Sequence, residues 1–344
     1  MGLYRWIKTV PIIKPILIIF ILGLVLSVIY FLATYYWSNN KSPVVEVNDN
    51  YQEIIKDNPS KIIDLSTLNQ PESNVSAISD QVQIQMLYPT KKGGRIWNST
   101  SWSNNESRTI PSGKVDSFDS EFIARGNGTV FIDGAGTAQL QGSAPRMYVY
   151  DNTKKKKWNN VEVTVYAKRI SESGTVSSQG IVIGARSEHQ DATLKNPCLG
   201  ATYYGRLLYD GRAVFQKEVI HEGVYSVNKP SEENKAKWNT PNGVMPSNIW
   251  IGVKFIVMTN PDKKSVMLEL YRDLTDGKNG GKWEKIAEYT DKGDWFQNDS
   301  KNKVKKKCGY SANKVLLEPG TSVFIRNDKV SNVQYKLFSI REIE

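Results

Sequence analysis

The segment 196–223, NPCLGATYYGRLLYDGRAVFQKEVIHEG, gathers side chains suited to holding a sugar. Asp210-Gly211 sits between two alternating runs, and that dipeptide favours a two-residue turn with both residues at positive φ. A hairpin closed there pairs Tyr209 with Arg212, Leu207 with Val214, Gly205 with Gln216 and Tyr203 with Glu218. Residues paired in this way share one face of the sheet. Tyr203, Tyr209, Arg212, Gln216 and Glu218 are therefore the candidate ligand-binding set. Aromatic faces stack on sugar rings, and the Arg, Gln and Glu groups hydrogen-bond hydroxyls. The opposite face, towards the core, carries Thr202, Tyr204, Arg206 and Leu208 with Ala213, Phe215, Lys217 and Val219. Neither face is wholly apolar, and a slip of one residue inverts the assignment.

Other chemistries have weaker signals. The loop DLTDGKNGG offers oxygens from Asp273, Asp276 and Asn279 to calcium, an ion that takes six to eight oxygen ligands. Lys278 lies inside that loop, and a Gly/Asn hairpin is the competing reading. Calcium is the one cofactor left open. A retaining glucanase needs two close carboxylates on one strand, and no Glu-x-Asp-x-x-Glu string exists. Gly-x-Ser-x-Gly, Walker and Cys-x-x-Cys patterns are also absent. The basic runs 154–157 and 305–307 read as solvated loop tips or as contacts to acidic glycans or anionic headgroups.

These groups need a frame. The chain has 344 residues, nine Trp and seventeen Tyr, and charges of both signs, so most of it folds. From about residue 81, short candidate strands follow one another. They are 83–87, 120–125, 130–133, 147–150, 161–169, 181–185, 201–209, 212–220, 251–258, 266–271, 283–289, 322–326 and 334–343. Val161, Val163, Val165 and Ala167 alternate with Glu162, Thr164, Tyr166 and Lys168, as do Ile251, Val253, Phe255 and Val257 with their neighbours. No amphipathic helix of useful length interrupts them. So many strands with short connections imply an all-β sandwich or barrel.

The N-terminus has a different texture. Residues 1–14 carry Arg5, Lys8 and Lys14 and no acid. Residues 15–37 carry no charge and are long enough to cross a bilayer core as a helix. Positive charge stays inside, so residues 1–14 are expected in the cytoplasm and the C-terminus outside the cell. Tyr35, Tyr36 and Trp37 form an interfacial belt. Residues 38–80 read as a stalk and 81–344 as the sandwich domain. Sequons at Asn40, Asn74, Asn98, Asn105, Asn127 and Asn298 agree with export, and all but Asn40 are expected glycosylation sites. In an oxidising compartment the only two cysteines, Cys198 and Cys308, are expected to pair. The net charge is +10, but the compartment argues against nucleic acid as a partner.

The segments NPCLGATYYGRLLYDGRAVFQKEVIH, WIGVKFIVMTN, VMLELYRDLTDGKNGGKWEKIAEYTDKGDW, KCGY and YKLFSIREI together resemble concanavalin A-like sandwiches, and more narrowly archaeal exported proteins of that fold. The resemblance covers roughly 147–344. It implies an antiparallel jelly roll with ligand on a concave face. ARSEHQ and VIH also resemble, in degraded form, the Arg-Ser-Glu-Leu-Arg and Gln-Ile-His signatures of alginate-lyase sandwiches. That resemblance implies Arg186 as neutraliser of a uronate carboxylate and His221 as base, with a Tyr as acid. His189-Gln190 replaces Leu-Arg, and Val219 replaces the Gln. The expectation is a single-pass, membrane-anchored, extracytoplasmic glycan-binding or cell-surface interaction module. The alternatives are a polysaccharide lyase or glycoside hydrolase and a structural envelope protein.

Overall fold

The computed structural model describes residues 79–171, 180–191, 195–221, 225–227, 238, 240, 243–296, 303–327 and 332–344. All belong to the unit Val75–Glu344. The apolar run 15–37, nearly all of the expected stalk, and Asn40, Asn74 and Asn298 lie outside the described residues. Among the described residues no helix is long and apolar enough to cross a membrane.

The described residues form fourteen strands. They are β1 (Ile96–Asn98), β2 (Arg108–Pro111), β3 (Phe122–Ile132), β4 (Thr137–Tyr150), β5 (Val161–Ser171), β6 (Gly180–Ser187), β7 (Thr202–Leu208), β8 (Ala213–Glu218), β9 (Tyr225–Val227), β10 (Trp250–Thr259), β11 (Val266–Asp273), β12 (Glu284–Asp291), β13 (Ser322–Arg326) and β14 (Asn332–Glu342). One short helix, α1 (Lys303–Cys308), carries the second basic run. Every strand pairing is antiparallel, in the order β12-β11-β10-β5-β14-β4-β13-β6-β7-β8-β9. The path is continuous because β4 turns a corner. Its first residues pair with β14 and its last with β13, and the register of β3 against it shifts between Asn127 and Thr129. Bulges of this kind bend a strand from one sheet into the next.

The result is a two-layer sandwich. The layer β12-β11-β10-β5-β14 faces the layer β13-β6-β7-β8, with β11 against β7 and β12 against β8. The core between them holds the alternate residues anticipated from the pattern. Val161, Val163, Val165 and Ala167 of β5 and Ile251, Val253, Phe255 and Val257 of β10 are all buried there. The expected all-β antiparallel architecture is therefore observed.

Residues 83–87 do not form the expected strand. They belong to a strap, 79–95, lying across the outer face of β5, β10 and β14. Leu87 and Tyr88 donate their N–H groups to Glu162 of β5, each at 3.1 Å, and Tyr88 Oη donates to Glu269 at 2.6 Å. Beneath the strap, Glu162 also accepts from Lys254 Nζ at 2.9 Å and from Arg341 Nη2, and all three residues are buried. A polar sheet face is thus turned inwards. The alternation of β5 is real, but Glu162, Thr164 and Tyr166 of its polar half are buried, and only Lys168 is partly exposed.

The first basic run, 154–157, is an exposed loop tip built on Asp151. That carboxylate accepts from Lys156 N at 2.8 Å and from Thr153 Oγ1 at 2.7 Å. These bonds, led by that of Lys156, hold its pKa down at about 2. A depressed carboxylate stabilises the fold above its unfolded pKa of about 3.9 and loses that effect as pH falls through the folded value. Asp151→Asn is therefore expected to flatten the fall of melting temperature between about pH 4 and pH 2. An identical acid limb in wild type and variant would refute this.

Candidate functional site

The hairpin β7–β8 closes one residue differently from expectation. Leu208 N donates to Arg212 O at 2.8 Å and Gly211 N to Leu208 O at 3.0 Å, which leaves Tyr209-Asp210-Gly211 as a three-residue loop. Gly211 takes φ +86°, the left-handed position that ends such loops. Tyr203 therefore pairs with Lys217 and Tyr204 with Gln216. β8 presents the expected face, whereas β7 presents the opposite one.

This corrects two of the five candidate ligand residues. Tyr203 and Tyr209 point into the core. The Tyr203 hydroxyl donates to Asp291 at 2.5 Å, beside Lys217 Nζ at 2.7 Å from the same oxygen. Lys217 is thus a buried core cation, held by a partner 74 residues away. Arg212 bonds Asp210 within the turn, at 2.8 Å. Gln216 and Glu218 lie on the outer face of the sheet, and both are buried there.

That outer face is ordered in three rows, each read straight across the strands. Ile123, Tyr148, Phe324, Gly184, Tyr204 and Gln216 form the middle row. A Cβ at Gly184 would stand 2.3 Å from the Phe324 ring, so glycine makes room for that ring, which stacks on Tyr148 at 4.5 Å and meets Tyr204 edge-on at 5.8 Å. On one side runs an arginine row: Arg125 opposite Arg146, Arg146 opposite Arg326, Arg326 opposite Val182, Val182 opposite Arg206. Arg125, Arg146 and Arg206 are partly exposed, and Arg326 lies over the Tyr204 ring. No described carboxylate forms an ion pair with Arg125 or Arg146.

On the other side stands Glu218, with both histidines of the protein around it. His221 Nδ1 lies 3.0 Å from Glu218 Oε1, and His189 Nε2 lies 3.5 Å from Glu218 Oε2. Tyr204 Oη donates to Glu218 Oε2 at 2.5 Å. His189 Nδ1 faces Tyr148 Oη at 3.1 Å and Arg146 Nη1 at 3.4 Å. Burial pushes the His189 pKa down to about 4, with Arg146, His221 and Arg326 adding to the effect against Glu218. The ring is neutral at pH 7. Burial raises the Tyr148 and Tyr204 hydroxyls above their ordinary value.

The lyase assignment is not assembled. A bulge in β6 sets Arg186 at φ +47° and turns it away from the outer face. Its guanidinium donates to Asn159 O, Leu316 O, Asn160 Oδ1 and Thr259 Oγ1 at 2.7–3.2 Å. Arg186 is thus committed between the layers, while His221 stands on the outer face with Glu218. In the loop weighed for calcium, the candidate carboxylates have partners within the protein. Asp273 accepts from Thr275 N, Gly277 N, Lys282 N and Tyr166 Oη, so its carboxylate organises the loop itself. Asp276 pairs with Lys336 at 2.6 Å, and Asn279 sits in the left-handed region as a turn residue.

Cys198 and Cys308 are joined, with Cα atoms 5.6 Å apart. The Asn98 side chain caps a turn through Thr100 N and donates to Gln81, whereas Asn105 and Asn127 are exposed. His189, Arg125, Arg146, Arg326, Tyr148 and Tyr204 were not singled out from the sequence as ligand residues. Arg125 and Arg146 pair across β3 and β4 only beyond the register shift between Asn127 and Thr129, so counting back from the turn at Asp133-Gly134 does not by itself mark them as neighbours.

No family model matches the chain, and no curated protein matches it. Solved structures do. Peanut lectin with a 9mer peptide is similar at 9% identity and TM-score 0.35, over 70% of this chain and 99% of that one. The carbohydrate recognition domain of Emp47p is similar at 8% identity and TM-score 0.35, over 74% and 100%. The receptor-binding domain of botulinum neurotoxin mosaic serotype C/D is similar at 14% identity and TM-score 0.34, over 72% of this chain and 49% of that one, about half its length. Lectin-type β folds thus stand among the structures that the chain is similar to.

Proposed function

We propose that the protein is a membrane-anchored, extracytoplasmic glycan-binding module, and that its ligand is an acidic polysaccharide laid along the arginine row. One observation carries the reading: Arg125, Arg146 and Arg326 are direct cross-strand neighbours. Like charges placed opposite each other destabilise a sheet. Their alignment is offset when a carboxylate- or sulfate-bearing chain binds across them, since guanidinium groups take such anions bidentately. The uncharged run 15–37 supports the anchor, and the disulfide and the exposed sequons at Asn105 and Asn127 suit an oxidising, glycosylating exterior.

A hydrogen bond to a charged group contributes about 1.5–3 kcal/mol, so removing one arginine weakens binding about tenfold or more. Arg125→Ala is expected to lower affinity for uronate or sulfated polysaccharides by at least that factor and to reduce the salt dependence of binding. Calorimetry or a glycan array with acidic and neutral polymers checks this. Equal binding of neutral polymers, or no binding of acidic ones, would sink the proposal.

A further inference from the structure

Only two histidines occur in 344 residues, and both converge on one carboxylate from different elements. His189 opens a short turn after β6, where its N–H bonds Ser187 Oγ at 3.0 Å. Glu218 ends β8, and His221 follows with its N–H on Pro197 O at 2.7 Å. We propose that His189 Nε2, His221 Nδ1 and Glu218 form a site for a divalent transition-metal ion of the zinc class. The inference goes beyond glycan binding and does not rest on it.

The spacing fits. The three ligand atoms lie within 4.8 Å of one another. Tetrahedral zinc with bonds of about 2.0–2.1 Å sets its ligand atoms about 3.3 Å apart. His221 Nδ1 stands 3.0 Å from Glu218 Oε1 and His189 Nε2 3.5 Å from Glu218 Oε2, two oxygens of one carboxylate, each spacing near that value. A second, independent observation points to a missing partner. His189 is 4% exposed, and its Nε2 is buried with no hydrogen bond. An orphaned buried polar nitrogen is costly, and a metal ion removes that cost.

The surroundings are those of a ligating imidazole. With the Nδ1 proton donated to Tyr148 Oη, the Nε2 lone pair points at Glu218, and an outer hydrogen bond of this kind fixes the tautomer of a metal-bound histidine. Arg146 near Nδ1 favours the opposite tautomer, in which Nε2–H faces Glu218 at a distance that makes no hydrogen bond. The two states are therefore distinct and separable by experiment. Tyr204 Oη holds Glu218 Oε2, the oxygen on the His189 side, while Oε1 stands beside His221. The His221 side chain is 29% exposed, which leaves an entry path and a fourth position for water. Two imidazoles and one carboxylate select zinc, cobalt, nickel or copper over calcium or magnesium, which prefer oxygen alone.

The test uses the full-length chain, stripped of metal and without a histidine tag, titrated with zinc chloride and separately with calcium chloride. One zinc per chain is expected at micromolar or tighter affinity, with no response to calcium at the same concentrations. Cobalt bound to the wild-type protein is expected to show the visible absorption of a tetrahedral nitrogen–oxygen site, a readout that needs no variant. Glu218→Gln and His221→Ala lower zinc affinity more than Tyr148→Phe, for which loss of the outer hydrogen bond predicts about tenfold. Wild-type protein that binds neither zinc nor cobalt saturably overturns the site. So does zinc binding that is unchanged when both histidines are replaced in a variant of native circular dichroism.

Discussion

Glu162→Gln is expected to cost about 3–5 kcal/mol of stability, because it strips a buried ion cluster of the carboxylate its cations share. Lys254 Nζ and Arg341 Nη2 both donate to Glu162, and none of the three reaches solvent. Gln keeps the shape and one acceptor but neutralises neither cation. Desolvation already lowers the pKa of Lys254 in the native protein, against the pull of Glu162. Without Glu162 that desolvation is opposed by less. The strap should loosen as well, since Leu87 and Tyr88 hang their N–H groups on the same oxygens. Urea unfolding gives the free energy, and hydrogen exchange at those two amides reports the strap. Glu288→Gln is the control: its partner Lys285 is 39% exposed, so the change should cost about 1 kcal/mol or less. If the two variants unfold alike, the cluster does not hold the strap.

Reduction of Cys198–Cys308, or their replacement by serine, is expected to cost about 4–5 kcal/mol from loop-closure entropy alone, given a separation of 110 residues. The loss has a local meaning too. Tyr310, two residues beyond Cys308, donates its hydroxyl to Val219 O at 2.8 Å, with Cys198 O at 3.2 Å from the same oxygen. His221 N bonds Pro197 O beside the disulfide. The bond therefore braces the segment from which Glu218 and His221 project. Unfolding with and without reductant measures the stability, and zinc affinity under the two conditions measures the bracing. A midpoint that does not move on reduction would falsify this account.

The sandwich was legible because its core strands alternate cleanly, as β5 and β10 do. The disulfide was legible because two cysteines allow one pairing. The site was only half legible. A dipeptide such as Asp210-Gly211 suits a two-residue turn, and it equally suits the last two positions of a three-residue loop that ends in left-handed glycine. One residue of difference inverts β7 and sends Tyr203 to the core. Lys217 on a core face became intelligible only with Asp291, far along the chain. His189 came to His221 through the register of β6, β7 and β8, which no local pattern encodes. The arginine row has the same character: its four members come from β3, β4, β13 and β7.

The corner in β4 brings that row into being, because β13 and β3 flank its second half there. From β3 to β7 there are four strand-to-strand steps of about 4.8 Å, so Arg125 and Arg206 stand about 19 Å apart. Three charges come at single steps and the fourth after a double step across Val182. The sheet thus acts as a ruler. An acidic oligomer shorter than about 19 Å reaches only part of the row, so affinity should climb in steps with oligomer length and level off once the whole row is spanned.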